Sequence, residues 1–425
     1  MRVLLTTNPL KTVFLHMVPL AWALRTAGHE VRFASQPSFA DTITQAGLTA
    51  VPLGRDHTRL WSPAAGSAKE DAVAERVGIP EPYDAFDNPE KGTWDYLVPG
   101  IQGAIQRKHK LEAFPVISDL VDYARSWEPD LVLWDPLTYA GAIAAKASGA
   151  AHARLLFGID IMGGVRQLFL RLKAEQPEDE RTDPLAEWLG SYARKYGGEF
   201  TEDMAVGHFT IDQLPLSLQT EAEGLHYTRT QYIPYSGPAV VPNWMRTAPR
   251  RPRVVLSLGN TATTVYDGYA VDVQAILDNL ADLDIEIVAT IAKSEQHKVT
   301  RVPENTRVVS YVPLHALIPT CAAVIHHGGA GTTGITARFG VPHLVLHDHY
   351  DQPILAEKLS THGAGLGIHF TQATGPKVRE NLLRLLHEPT FRRRAADLRT
   401  EIHAIPSPNE FVSQLEELAT KYRNR

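Results

Sequence analysis

The 425-residue sequence holds a single cysteine, Cys321, so it can form no internal disulfide, and its expected setting is the reducing cytoplasm. Basic residues are not in excess: 42 Lys and Arg stand against 48 Asp and Glu, a net charge of −6. That balance offers no electrostatic footprint for nucleic acid or for an anionic membrane surface. No apolar run approaches the ~18 residues of a membrane span. The opening Met1-Arg2-Val3-Leu4-Leu5 is too short for a signal sequence and lacks a small-residue cleavage site. Three chemical signatures are missing as well. No Lys-Ser/Thr completes a Walker loop, no G-x-G-x-x-G marks a dinucleotide redox site, and no Asp/Glu/His set stands at metal-ligand spacing. With 44 % hydrophobic and 21 % charged residues, the chain is neither disordered nor fibrous.

What is present is an alternation of strands and helices. A strand from Val3 to Thr7, a helix from Phe14 to Ala27 stopped at Gly28, and a strand from Val31 to Ala34 make a βαβ unit. A buried strand at Leu131–Trp134 ends at Asp135-Pro136, and a helix at 140–148 and a strand at 152–157 follow. Between Arg55 and Lys110 the rhythm breaks into Pro, Gly and charge, which predicts an insert of loops and short helices. The stretch 239–252, with Pro242, Pro249 and Arg246, Arg250 and Arg251, reads as a linker. Strands at 254–258, 285–289, 308–311 and 323–326 then alternate with helices, and an amphipathic helix spans 406–421. The expected architecture is α/β: two doubly wound halves, 1–238 and 253–405, with 406–425 folding back on the first.

Ile325-His326-His327-Gly328-Gly329-Ala330-Gly331-Thr332-Thr333 lies between a predicted strand and a predicted helix. Glycines there admit close approach of a ligand, and the helix start offers unpaired N–H groups to an anion such as a phosphate. Without metal ligands nearby, anion binding without a metal is the reading left. Asp351 and Gln352, after the next strand, fall on the same ligand-binding edge and suit sugar hydroxyls, although Asp351 could instead cap its helix.

His327-Gly328-Gly329-x-Gly331-Thr332 followed by Asp351-Gln352 resembles the donor motif of glycosyltransferase family 1, which has the GT-B fold. Val18-Pro19-Leu20, Ala27-Gly28-His29-Glu30-Val31, Ala46 to Pro52 and Asp183 to Trp188 resemble the actinomycete deoxysugar transferases of macrolide and anthracycline pathways. The resemblance implies an inverting transfer from a thymidine diphosphate (TDP) deoxysugar to a polyketide aglycone, with no cofactor and no metal. Carried over by residue, Val312 with Pro313 would meet the base. His327, Gly329, Gly331 and Thr332 would hold the diphosphate, with Ser257, Gly259 and Asn260 beside it, and Asp351 and Gln352 would face the sugar.

The family's N-terminal catalytic histidine falls at Val13. The base is then His16, about one turn on, or Asp135, or none if the acceptor hydroxyl is itself acidic. Phe14, Met17, Trp134, Phe157 and Met162 are candidates for an acceptor pocket, each of a type that serves more often as core. Such transferases often need a cytochrome P450-like helper, whose expected docking region is the 55–110 insert. The competing readings are a non-catalytic GT-B helper and a nucleotide-sugar 2-epimerase.

Overall fold

In the computed structural model the described residues are 1–56, 78–264 and 268–423. Part of the insert expected at 55–110, with the helper docking assigned to it, therefore lies outside the described residues. The described chain forms two all-parallel sheets. The first contains β1 (Arg2–Thr6), β2 (Glu30–Ser35), β3 (Ala50–Pro52), β4 (Leu131–Trp134), β5 (Ala151–Leu155), β6 (Phe209–Asp212) and β7 (Tyr227–Arg229). The second contains β8 (Arg253–Ser257), β9 (Glu286–Thr290), β10 (Thr306–Val309), β11 (Cys321–His326), β12 (His343–His347) and β13 (Gly365–His369). Strand orders are β3-β2-β1-β4-β5-β6-β7 and β10-β9-β8-β11-β12-β13. Each is a doubly wound sheet, and the α/β reading of the sequence holds.

The order of strands positions the site. In the first sheet the winding reverses between β1 and β4, and in the second between β8 and β11. At such a point the two following loops turn away from each other and leave a crevice at the C-terminal strand ends. Asn8 and Asp135 follow one pair, and Leu258 and His327 follow the other. The strands are covered by helices on both faces, which is why Leu131–Trp134 is apolar throughout and wholly buried.

The first helix runs from Lys11 to Thr26 rather than from Phe14. Leu10 stands at its N-cap with no side-chain cap, so no capping residue announced the start. Val13 is therefore buried in the first turn. The C-terminal helix Pro408–Tyr422 opens with a capping box formed by Ser407 and Glu410. Its Phe411, Val412, Leu415 and Leu418 share a core with Val3, Leu5, Phe14 and Leu133 of the first sheet and its helices.

Three expected pocket residues belong to the interior. Phe14 meets Phe33 and Phe39 edge to face, with ring centroids 4.9 and 5.4 Å apart. Met17 lies in the same fully covered core. Trp134 is buried in β4, and its indole N–H donates to His152 Nδ1 at 3.2 Å. These residues point into helix–sheet packing, not into the crevice, so the acceptor-pocket reading of Phe14, Met17 and Trp134 is corrected.

Candidate active site

His327 follows β11, and its ring is wedged between two glycines. A Cβ on Gly259 would approach the ring to 2.5 Å, and one on Gly329 would come within 2.3 Å of Nε2. Gly259 also has φ +73°, a conformation that side chains rarely adopt. Burial lowers the His327 pKa to about 4 against an opposing contribution from the Ser257 backbone, so the ring is neutral, and its Nδ1 is buried. The helix Ala330–Arg338 begins directly after, with Gly329 at the N-cap and no side chain satisfying its first-turn amides. Open N–H groups, a helix dipole and a neutral imidazole thus converge on one spot, which suits a diphosphate. The turn before them is fixed from beneath, because Gly328 N–H donates to His326 Nδ1 at 3.1 Å and His326 Nε2 meets His343 Nδ1 at 3.0 Å.

The loop after β12 forms the next wall. Gln352 is buried and accepts from Asp348 N–H at 3.1 Å, while its amide meets His349 Nδ1 at 3.2 Å. Asp351 does not cap its helix. Its Oδ2 instead accepts from Ile159 N–H at 3.2 Å, across the boundary between the two halves. That approach requires Gly158, where a Cβ would lie 2.0 Å from the same oxygen. Burial raises the Asp351 pKa to about 6. Tyr350, at φ 54°, stacks on Phe157 with centroids 6.4 Å apart. Gly78, the first described residue after 77, donates its N–H to Asp348 O at 2.9 Å, and its carbonyl accepts from Tyr350 N–H at 2.8 Å. Ser257 ends β8, buried, and Asn260 lies exposed just past Gly259. Thr332 is partly exposed in the first turn of the glycine helix. Val312 is buried.

Both base candidates acquire definite surroundings. His16 points at the glycine helix: its Nε2 is 3.3 Å from where a Gly331 Cβ would stand, and its ring lies 5.0 Å from that of Tyr232. Burial lowers its pKa to about 4, and Nδ1 has no partner. Asp135 accepts from Leu137 N–H at 3.0 Å and from the Thr138 hydroxyl at 2.6 Å, so it caps the turn after β4. Met162 is buried in the first turn of the helix Ile161–Glu175. Phe157, half-buried against Tyr350, is the one expected pocket residue that the structure brings to the crevice wall.

Two contributors had no local signal. Tyr232 packs between His16 and Gly334 from the stretch just before 239–252. Gly158-Ile159 could have been suspected only as a glycine just past a strand end. His152, Asp203 and His208 also come together, with ligand-type atoms within 4.8 Å. Trp134 N–H donates to His152 Nδ1 and the His152 amide donates to His208 Nδ1 at 3.1 Å, which keeps both ring protons on Nε2. A metal would need those Nε2 lone pairs, so the donor set suits a histidine pair held by Asp203 rather than an ion.

The chain matches the model of the erythromycin biosynthesis protein CIII-like N-terminal domain over residues 22–259 and that of the C-terminal domain over 274–418. It belongs to the erythromycin CIII-like glycosyltransferases. It is 44 % identical to 10-deoxymethynolide desosaminyltransferase of Streptomyces venezuelae, over 100 % of this chain and 98 % of that one. It is 41 % identical to aclacinomycin-T 2-deoxy-L-fucose transferase of Streptomyces galilaeus, over 100 % and 97 %. The solved glycosyltransferase VinC, in complex with dTDP, superposes with a TM-score of 0.87 at 39 % identity, over 99 % of this chain and 100 % of that one. As a CIII-like transferase the chain is a GT-B enzyme of the hexosyltransferase class, like the deoxysugar transferases of antibiotic biosynthesis that it resembles. No helix among the described residues is long and apolar enough to cross a membrane.

Proposed function

We propose that this enzyme transfers a deoxysugar from a TDP-sugar to a hydroxyl of a macrolide or anthracycline aglycone, with inversion and without a metal ion. The observation that carries the reading is the diphosphate cradle: His327, Gly329, Gly331 and Thr332 at a helix start, with Asp351 and Gln352 beside it. In a single displacement the acceptor oxygen attacks the anomeric carbon as the bond to the diphosphate breaks. Negative charge gathers on the leaving group, where fixed N–H donors stabilise it. Val312 and Pro313 receive the base through the backbone, and Asp351 and Gln352 take sugar hydroxyls. His16, against the glycine helix, adds a neutral imidazole on the leaving-group side. A non-catalytic helper would have no use for so complete a donor site, and a 2-epimerase would need no second domain shaped for an acceptor.

Calorimetry with TDP and with uridine diphosphate, in the presence of a chelator, tests the donor half. Binding of TDP without metal and in preference to uridine diphosphate is expected, and failure of both to bind overturns the reading. TDP-desosamine with 10-deoxymethynolide is the first probe pair for turnover. Asp351→Asn is expected to cut that turnover at least tenfold while TDP affinity stays within about twofold, because the part of the donor placed against this carboxylate is the sugar and not the nucleotide.

A further inference from the structure

The missing histidine leaves the acceptor's proton without a destination. Val13 carries no titratable group. His16 is in contact with the helix that holds the diphosphate, and an inverting attack comes from the opposite side of the anomeric carbon. Asp135 has both oxygens engaged by Leu137 and Thr138. A different carboxyl is unclaimed. Glu112 is 1 % exposed, and neither of its oxygens has a hydrogen-bond partner. Burying a carboxyl with nothing to bond is costly, so native structures rarely leave one in that state unless a ligand supplies the partner.

Its surroundings adjoin the turn after β4. Asp135, at the end of β4, is near enough that its charge opposes ionisation of Glu112. Three residues earlier, on the same face of the helical run, stands His109, buried, with Nε2 bonded to the Tyr83 hydroxyl and Nδ1 also unpartnered. Tyr83 feels the charges of Tyr139, Tyr350 and Glu112. Tyr139 closes the group, its ring 5.1 Å from that of His109. The chain reaches this point through one π-helical turn, Ile105–His109, a distortion that nature tends to keep at functional positions. Two neighbouring side chains with open polar atoms are thus enclosed by aromatic rings.

We propose that Glu112 is the catalytic base of this enzyme, receiving the proton of the attacking aglycone hydroxyl. The assignment rests on the transferase reading above. In the step, the hydroxyl proton passes to the Glu112 carboxylate and the oxygen's electron pair forms the new bond to the anomeric carbon. The old bond to oxygen breaks, and its electrons leave with TDP. Burial, reinforced by Asp135 and partly relieved by Lys108, raises the Glu112 pKa to about 8. His109, Tyr83 and Tyr139 face it uncharged, since burial pushes the His109 pKa down to about 3 and those of the tyrosines up. Only the ionised carboxyl accepts a proton, so turnover rises about tenfold per pH unit below pH 8 and levels above it.

The test compares Glu112→Gln and Glu112→Asp with the unaltered enzyme, using TDP-desosamine and 10-deoxymethynolide across pH 6 to 9.5, with TDP calorimetry alongside. Glu112→Gln is expected to lose about 100-fold or more in turnover, to lose the rise toward pH 8, and to bind TDP within twofold of the unaltered enzyme. Glu112→Asp, which keeps the carboxyl but draws it back, is expected to recover part of the rate together with the pH rise. A Glu112→Gln enzyme within threefold of the unaltered rate, or slower but with the same pH rise, overturns the assignment. Should that variant not fold, an unaltered enzyme whose rate is flat from pH 6 to 8 overturns it equally. Failure of the unaltered protein to bind TDP overturns the transferase reading itself, and this assignment with it.

Discussion

His327→Ala is expected to slow transfer by about 100- to 1000-fold, the cost usually attached to removing one fixed donor from a site of developing negative charge. The ring cannot be replaced by a neighbour. Gly259 and Gly329 hold it by backbone contact on both sides, and its Nδ1 is buried, so alanine leaves a cavity at the point where the diphosphate would rest. Because the imidazole acts neutral, with a pKa near 4, the effect should be the same at every pH above about 5. TDP affinity should fall by about tenfold, less than turnover, since the leaving group carries more charge in the transition state than in the bound donor. Single-turnover kinetics with TDP-desosamine and calorimetry with TDP separate the two quantities. A loss below threefold in both would place the diphosphate elsewhere.

Asp160→Ala is expected to cost about 3–5 kcal/mol of folding stability, read from urea unfolding by circular dichroism. Asp160 and Arg154 are both fully buried and joined by two hydrogen bonds, at 2.9 and 2.7 Å. Asp160 also accepts from the Tyr227 hydroxyl at 2.7 Å and caps the helix Ile161–Glu175 through Gly163 N–H at 2.9 Å. Alanine would leave the guanidinium charge buried with only Val206 O and Thr210 to bond, and the helix uncapped. The damage should reach the crevice, because Ile159, the residue before Asp160, is the one bonded to Asp351. Arg154→Met with Asp160→Leu removes both charges at once and should recover much of the stability, since a matched apolar pair has no unpaired ion to bury. If the single and double variants unfold alike, the network holds the fold through shape and not through charge.

The donor half of the site was legible because its chemistry is contiguous. A strand, two histidines, spaced glycines and a helix start lie within nine residues from Ile325 to Thr333, and local geometry alone makes them a cradle. Fold class was legible for the same reason: each βαβ unit is a local pattern, and parallel strands admit few arrangements. The acceptor half was not. Phe14, Met17 and Trp134 are residue types that serve a core more often than a pocket, and only the path of the first helix showed them turned inward. Asp351 reads equally as a sugar contact and as a helix cap until Gly158-Ile159 arrives from a different domain. Tyr232 and Glu112 draw their significance from long-range packing and carry no signal in their neighbours. Val13 marks a case in which the sequence shows that the family's histidine is absent without showing what, if anything, replaces it.

The Ile159 N–H fills only one acceptor site of Asp351, so the carboxylate that ties the two halves together keeps lone pairs for a sugar hydroxyl. With the sugar placed as proposed, the donor adds a bond to this joint and displaces none. The carboxylate is then a hub shared by both domains and the hexose, and the donor itself fastens the two halves while it is bound.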